Sequence, residues 1–336
     1  MKKLLVTLAL GASSFSAFAI TPLWLRDVNI SPDGKEIVFC YKGDIYKVKA
    51  AGGEAVRLTS QDSYESNPVW SPDGKQIAFA SDRFGNFDLF IMPADGGTAK
   101  RLTMNSASEI PSTFTPDGKY VVFSASIQDP ASSALFPKSG MTELYKVPVA
   151  GGRTQQMLGT PAEMVCYAPS GDFFLYQDQK GVESEWRKHH TSSITRDVWM
   201  YDTKTGKHTN LTEVAGEDRN PVLSPDGKQV YFLSERNGGS FNVYRFPLDN
   251  PKEIQPVTSF KTNPVRFLSM GNDGTLCYTY DGEIYTQPVD GKPKKVAVSL
   301  VRDEEELPVS YSFTRGASEA VVSPDGKQVA FIVRGE

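Results

Sequence analysis

Ser31-Pro32-Asp33-Gly34-Lys35 returns four times along the chain: as Ser71-Pro72-Asp73-Gly74-Lys75, Thr115-Pro116-Asp117-Gly118-Lys119, Ser224-Pro225-Asp226-Gly227-Lys228 and Ser323-Pro324-Asp325-Gly326-Lys327. Weaker copies stand at Ala168-Pro169-Ser170-Gly171-Asp172 and Gly271-Asn272-Asp273-Gly274-Thr275. Self-similarity at this spacing marks stacked copies of one small unit, as in a propeller. Each phrase reads as a turn, because proline presets its backbone angle and glycine accepts positive φ.

Residues 65–104 show one unit in full. Asn67-Pro68-Val69-Trp70 is a short strand, and Gln76-Ile77-Ala78-Phe79-Ala80 alternates polar and apolar as a half-buried strand does. A turn at Asp82–Asn86 leads to a third strand, Asp88–Met92. Asp95-Gly96-Gly97 is a tight hairpin signal before a fourth strand, Ala99–Thr103. Four antiparallel strands make one blade. The same pattern covers about 24–60, 109–160, 163–214, 219–260 and 264–300. Six blades therefore occupy residues 20–300. An acidic linker, 301–316 with Asp303-Glu304-Glu305-Glu306, precedes an incomplete blade at 317–336. That last copy either pairs with the first blade to complete the ring or opens a second propeller. An unpaired edge strand is an aggregation hazard, which favours a second propeller that continues beyond it.

The first residues stand apart. Lys2-Lys3, the apolar run Leu4–Leu10 and Ala17-Phe18-Ala19 read as a signal peptide over 1–19, cut after Ala19. The expected location is the periplasm, with no membrane span once the signal is removed. The formal net charge of −4 offers no basic field for nucleic acid. The three cysteines, Cys40, Cys166 and Cys277, sit in apolar runs and read as buried free thiols.

Two repeats are stretched: Pro116 to Pro169 is 53 residues and Pro169 to Pro225 is 56, against 40 for Pro32 to Pro72. The extra length falls between the second and third strands, about 124–142 and 178–196, so two neighbouring blades build up one face. Insertions on one face often mark a binding face. The blade-four insert carries Trp186, Arg187, His189 and His190, residue types favoured at interface anchors. It reads equally as a long hairpin packed on its own blade. Adjacent histidines on a strand point to opposite faces, so a metal site there is not expected. On the same face Glu65, Glu109 and Asp218 each lie six residues before the turn phrase, with Glu163 one step out of register. They read as a partial acidic ring at the channel mouth, able to attract a cation or a peptide amino terminus. The alternative is local pairing, since Asp218 adjoins Arg219. No nucleophile elbow, phosphate loop or zinc spacing occurs.

The turn phrase, with Leu-Thr at the blade end, resembles the TolB-type propeller repeat shared by periplasmic TolB, prolyl-oligopeptidase relatives and tricorn-type proteases. Longer strings are more specific: Tyr41-Lys42-Gly43-Asp44-Ile45-Tyr46, Ser81 through Asp88, Trp186 through Val198 and Gly216-Glu217-Asp218-Arg219-Asn220-Pro221. These resemble the first propeller of exported bacterial tricorn-protease homologues, over essentially all of 24–336. The resemblance implies an all-β fold, a six-bladed TolB-like β-propeller of four-stranded antiparallel blades plus the first two strands of a further blade. It also implies the amino-terminal part of a periplasmic serine peptidase. A second propeller, a PDZ domain and a C-terminal-processing-type peptidase domain would follow. The family's catalytic serine and histidines lie in those later parts, so no catalytic residue, metal or cofactor is expected here. Implied partners are peptides or unfolded polypeptide, the downstream domains, and further copies of the full-length protein as a homo-oligomer. The alternative is a free-standing TolB-like periplasmic scaffold. TolB carries an additional amino-terminal α/β domain, whereas these blades start almost directly after the signal. A third reading is the propeller lid of a prolyl-oligopeptidase-type hydrolase, against which the tricorn-like strings weigh.

Overall fold

The computed structural model describes residues 19–127, 141–181, 191–236, 239–301 and 317–333. The signal segment up to residue 18 and the acidic stretch 303–306 lie outside the described residues. Ala19–Leu300 form one compact unit. It contains six four-stranded antiparallel sheets. After the two-residue β1 (Ala19–Ile20), blade one is β2 (Arg26–Ile30), β3 (Glu36–Tyr41), β4 (Asp44–Lys49) and β6 (Val56–Arg57), with β5 (Gly53–Glu54) outside it. Blade two is β7 (Glu65–Trp70), β8 (Gln76–Ser81), β9 (Asp88–Pro93) and β10 (Lys100–Arg101). Blade three is β11 (Glu109–Phe114), β12 (Tyr120–Ala125), β13 (Glu143–Pro148) and β14 (Gln155–Leu158). Blade four is β15 (Ala162–Tyr167), β16 (Phe173–Asp178), β17 (Val198–Asp202) and β18 (His208–Asn210). Blade five is β19 (Asp218–Leu223), β20 (Gln229–Ser234), β21 (Asn242–Pro247) and β22 (Gln255–Pro256). Blade six is β23 (Arg266–Met270), β24 (Thr275–Tyr280), β25 (Glu283–Pro288) and β26 (Lys294–Lys295). Among the described residues no helix is long and apolar enough to cross a membrane.

The repeated phrase works as a self-contained turn. Ser31 Oγ donates to Asp33 Oδ1 at 2.7 Å and accepts from the Glu36 N–H at 2.9 Å. Asp33 Oδ1 also accepts from the Lys35 N–H, while Gly34 takes φ +73°. The same bonds recur around Ser71 and Ser224. The Leu-Thr at blade ends has its own mechanism. Thr59, Thr103, Thr212 and Thr258 each accept, at 2.9 Å through Oγ1, the N–H of the first or second residue of the third strand. A hydroxyl thus replaces a backbone rung. This is why the fourth strand of blade two spans only Lys100–Arg101 rather than the expected Ala99–Thr103.

The innermost strands differ from expectation at their start. β7 begins at Glu65, two residues before the expected Asn67, because a bulge at Asn67-Pro68 lets the ladder continue across it. Asn67 takes φ 51°, and Asp27, Met164, Asn220 and Phe267 take the same left-handed conformation at the same place in blades one, four, five and six. Blade three has Pro111 there, whose ring locks φ near −65°, and its bulge falls between Pro111 and Thr113. The bulge bends each inner strand and increases its local twist. Asn220 ties two of them together: its side chain accepts from the Leu268 N–H at 2.9 Å and donates to the Leu268 carbonyl at 3.0 Å.

The apolar cores lie between blades, so each blade buries both faces. One core joins Val69, Leu89 and Leu102 of blade two to Phe114, Phe123 and Tyr145 of blade three. Another joins Val28, Ile37 and Phe39 of blade one to Cys277 and Ile284 of blade six, and closes the ring. Each blade draws its four strands from one continuous stretch of chain, in blade one with β5 between the third and fourth, so no strand is exchanged at closure. Instead β27 (Val298–Val301) runs between β1 and β5, pairing parallel to β5 with Val298 opposite Gly53. Val296, Val298 and Leu300 are buried in the same core. The three cysteines are free, Cys40 and Cys277 buried and Cys166 half-buried.

Gly52 is fixed by this clasp. Its φ is +94°, and a Cβ there would stand 2.8 Å from the Ala297 carbonyl oxygen. Gly53, at φ +128°, faces open space. Gly52→Ala is expected to cost about 2–5 kcal/mol, the sum of left-handed strain and overpacking, and Gly53→Ala about 1–2 kcal/mol. Urea denaturation of the two variants checks the difference.

The second unit is described by its hairpin, β28 (Ala317–Val322) and β29 (Val329–Val333), a two-stranded antiparallel sheet. It carries the turn phrase at Ser323–Lys327. It also has a bulge between Ser318 and Val321, with Glu319 at φ 54°. The same two features, the phrase and the left-handed bulge residue, occur together in the first two strands of blades one, two and five.

Candidate functional site

The face on which the inner strands begin also carries the connections between second and third strands. It is the face the sequence singles out. Trp186, Arg187, His189 and His190 lie outside the described residues. The other candidates are in place: Glu65, Glu109, Asp218 and Arg219 are buried and Glu163 is half-buried.

Glu65, Glu109 and Asp218 open β7, β11 and β19 and are 0% exposed. Glu65 Oε1 accepts from Ser63 and Ser81, and pairs with Arg83 at 3.2 Å. Asp218 pairs with Arg236 at 2.6 Å. The two arginines are placed alike. Arg83 lies over Phe79 and Phe90, and Arg236 over Phe232 and Tyr244. The local pairing read from the sequence is with the adjacent Arg219; Asp218 instead pairs with Arg236, and Arg219 reaches Glu217. All three carboxylates are buried, two of them paired with an arginine of their own blade, and they do not line an open acidic ring. Burial pushes the Asp218 carboxyl up to about 6 although Arg236 works against it.

Glu163, one step out of register, sits in a network that spans blades three to five. It accepts from Thr142 Oγ1 and Gln177 Nε2, both at 3.0 Å, and the Gln177 side-chain oxygen Oε1 accepts from the Asn220 N–H. Arg196, at the foot of the blade-four connection, pairs with Glu217 at 2.7 Å. Arg219 reaches the same Glu217 oxygen at 3.5 Å and covers the Phe241 ring. Of the predicted residues, the structure therefore brings Glu163 and Arg219 to the same network. It keeps Glu65, Glu109 and Asp218 apart in three separate seams.

A second set of acids on this face was missed by the sequence reading. The third strand opens on Asp44, Asp88 and Glu143, and on Asp197 just before β17. Each bonds the residue 13 positions on: Arg57, Arg101, Gln156 and Asn210. In blade six Glu283 pairs with Lys295. An acid two residues before Tyr, Phe or Trp, with a donor at a constant spacing, was the available signal. These pairs tie the third strand to the fourth. Chemically the face is thus a charge-neutralised, hydrogen-bonded frame. Phe84 and Met104 project from it, 62% and 78% exposed, with the Arg101 guanidinium 4.1 Å from the Phe84 ring centre.

Among the described residues no three His, Cys, Asp or Glu side chains gather as metal ligands would. His208 is bonded to the Tyr176 hydroxyl at 2.8 Å. On the opposite face a cleft of about 590 Å³ lies between blades five and six, bordered by Asp226, Tyr231, Arg245, Asp273 and Val289.

The family model for the tricorn protease N-terminal β-propeller domain matches residues 22–292. Among curated proteins the chain is similar to dipeptidyl-peptidase 5 of Porphyromonas gingivalis, 27% identical over 265 residues. That match covers 66% of this chain and 39% of the peptidase. An uncharacterized protein of Agrobacterium fabrum, Atu1656, is 25% identical over 199 residues, covering 57% of this chain and 62% of that protein. The chain thus spans less than two thirds of each of these relatives. Among solved structures, the tricorn protease superposes with a TM-score of 0.68 at 22% identity, covering 93% of this chain and 29% of that one. TolB from Acinetobacter baumannii does so with 0.60 at 19%, covering 81% and 64%. At these identities the superpositions speak for the fold.

Proposed function

The chain belongs to the family of tricorn protease N-terminal β-propellers, and from that we propose that it is the non-catalytic propeller of an exported, periplasmic tricorn-like serine peptidase. It guides or gates peptide substrates and supports assembly of the enzyme. The family match over 22–292 carries this reading. The peptidases among its relatives, each far longer than the matched part, support it. So does the chemistry of the described face, where charges are neutralised within the fold and the projecting groups, Phe84 and Met104, suit contact with polypeptide. The long connection of blade four, with Trp186, Arg187, His189 and His190, is the proposed contact for partner domains or further copies.

The test is the reading frame beyond Glu336 and the activity of its product. The frame is expected to run into a second propeller and a serine-peptidase domain. The full-length protein is expected to cleave peptides that residues 20–336 alone leave intact. A stop codon directly after Glu336 would overturn the reading and leave a free-standing periplasmic scaffold.

A further inference from the structure

The six blades present one structural slot six times, and in one blade the slot is unbalanced. The slot is the residue six before the turn phrase, which opens the inner strand in blades two to five and immediately precedes it in blades one and six. Its partner position is two residues past the second strand. In blades two and five the slot holds an acid and the partner an arginine: Glu65 with Arg83, Asp218 with Arg236. In blades one and six the slot is apolar, Leu25 and Val265, and the partner is Gly43 or Gly282. Blade four has Ala162, and its Lys180 turns to Asp197 and Asp178.

Blade three alone has the acid without the base. Glu109 fills the slot, 0% exposed. Ala125 stands where Ser81 and Ser234 stand, and Ile127 where Arg83 and Arg236 stand. The backbone follows the same path: the Tyr145 hydroxyl donates to the Ile127 carbonyl at 3.3 Å, as that of Tyr244 does to the Arg236 carbonyl. The aromatic pair is retained as Phe123 and Tyr145, stacked at 5.8 Å. Ile127 packs against the core of that seam. Among the described residues, no cation lies within ion-pair distance of Glu109.

We propose that the seam between blades two and three is a pH-sensitive joint, closed while Glu109 is protonated and loosened when it ionises. The groups that act on Glu109 from blade two are Asp88 of β9, which opposes ionisation, Arg101 of β10, which favours it, and the Thr103 hydroxyl beyond β10. Arg101 is already held by Asp88 at 2.7 Å. From its own blade β12 offers Ala125, while Glu143 of β13 turns to Tyr145 and Gln156. Burial is the largest influence and pushes the Glu109 carboxyl up to about 7, from an ordinary value of 4.5. Between these values the closed seam holds a proton that the opened chain releases. The contribution of Glu109 to closure is therefore whole below the lower value, falls as pH rises, and is gone above about 7.

Amide hydrogen exchange, corrected for the intrinsic pH dependence, tests this. Protection at Glu109 and Ala125, which face each other across β11 and β12, is expected to fall by roughly fortyfold between pH 5 and pH 7, approaching tenfold per unit only midway between the two values. The matching pair Glu65 and Ser81 is the internal reference and is expected to lack this fall. Glu109→Gln, which stays neutral, and Ile127→Arg, which supplies the absent base, should each abolish it. A pH-independent wild-type seam, or the same fall in either variant, would overturn the proposal. If Glu109→Gln does not fold, Ile127→Arg against wild type decides.

Discussion

Arg83→Met is expected to lower the stability of the propeller by about 3–5 kcal/mol, the usual consequence of stranding a buried charge. Glu65 is 0% exposed, and with Arg83 gone its carboxylate retains only the hydroxyls of Ser63 and Ser81. The rings of Phe79 and Phe90, which now lie under the guanidinium, would accept a methionine side chain without a void. Most of the loss therefore traces to charge. Adding Glu65→Gln to the same chain is expected to recover the greater part of it. Thermal or urea unfolding of the wild type, the single variant and the double variant measures both steps. A loss near zero for Arg83→Met, or no recovery in the double variant, would contradict the account of the seam as a desolvated ion pair.

Truncation after Lys295 is expected to have a still larger effect. It removes Val296, Val298 and Leu300 from the core shared by blades one and six. At about 1.5–3 kcal/mol for each buried aliphatic side chain, the loss is roughly 4.5–9 kcal/mol. That is comparable with the whole stability of many domains. The ring should lose cooperative unfolding and associate through the uncovered faces of Val28, Ile37 and Phe39. The point variant Leu300→Ala should cost about 2–5 kcal/mol while leaving the transition cooperative. Calorimetry together with sedimentation of the truncated chain checks both statements. A monomeric truncated chain with an unchanged transition would show that the clasp contributes little.

Much of the fold was legible because each letter of the repeated phrase has a local job. Serine, aspartate and glycine at Ser31–Lys35 bond one another within six residues, so their order alone specifies the turn. The inner-strand bulge was less legible. Asn67 and Asn220 are residue types that tolerate φ above zero, but Met164 and Phe267 adopt it too, under the constraint of the ring. The fate of the acids was legible only in part. Glu65 and Arg83, like Asp218 and Arg236, are 18 positions apart. Only the register of the first and second strands shows that they meet. The clasp left almost no trace, since its partners are two to four residues long and pair across 245 positions, Val298 to Gly53. Hydrophobic periodicity needs longer segments than that.

Because every blade is one uninterrupted stretch of chain, the molecule can be laid down in the order in which a ribosome delivers it. Each new blade finds the preceding one already present, so five of the six junctions form between neighbours in time as well as in space. The sixth cannot. Blade one must wait, its outer flank bare, until residue 300 has been synthesised and the loop spanning the whole ring can close, a contact of the slowest topological kind. The nascent protein thus has one long-lived sticky surface at a known address, Val28 to Phe39. That is where a chaperone that attends translation would be expected to hold it.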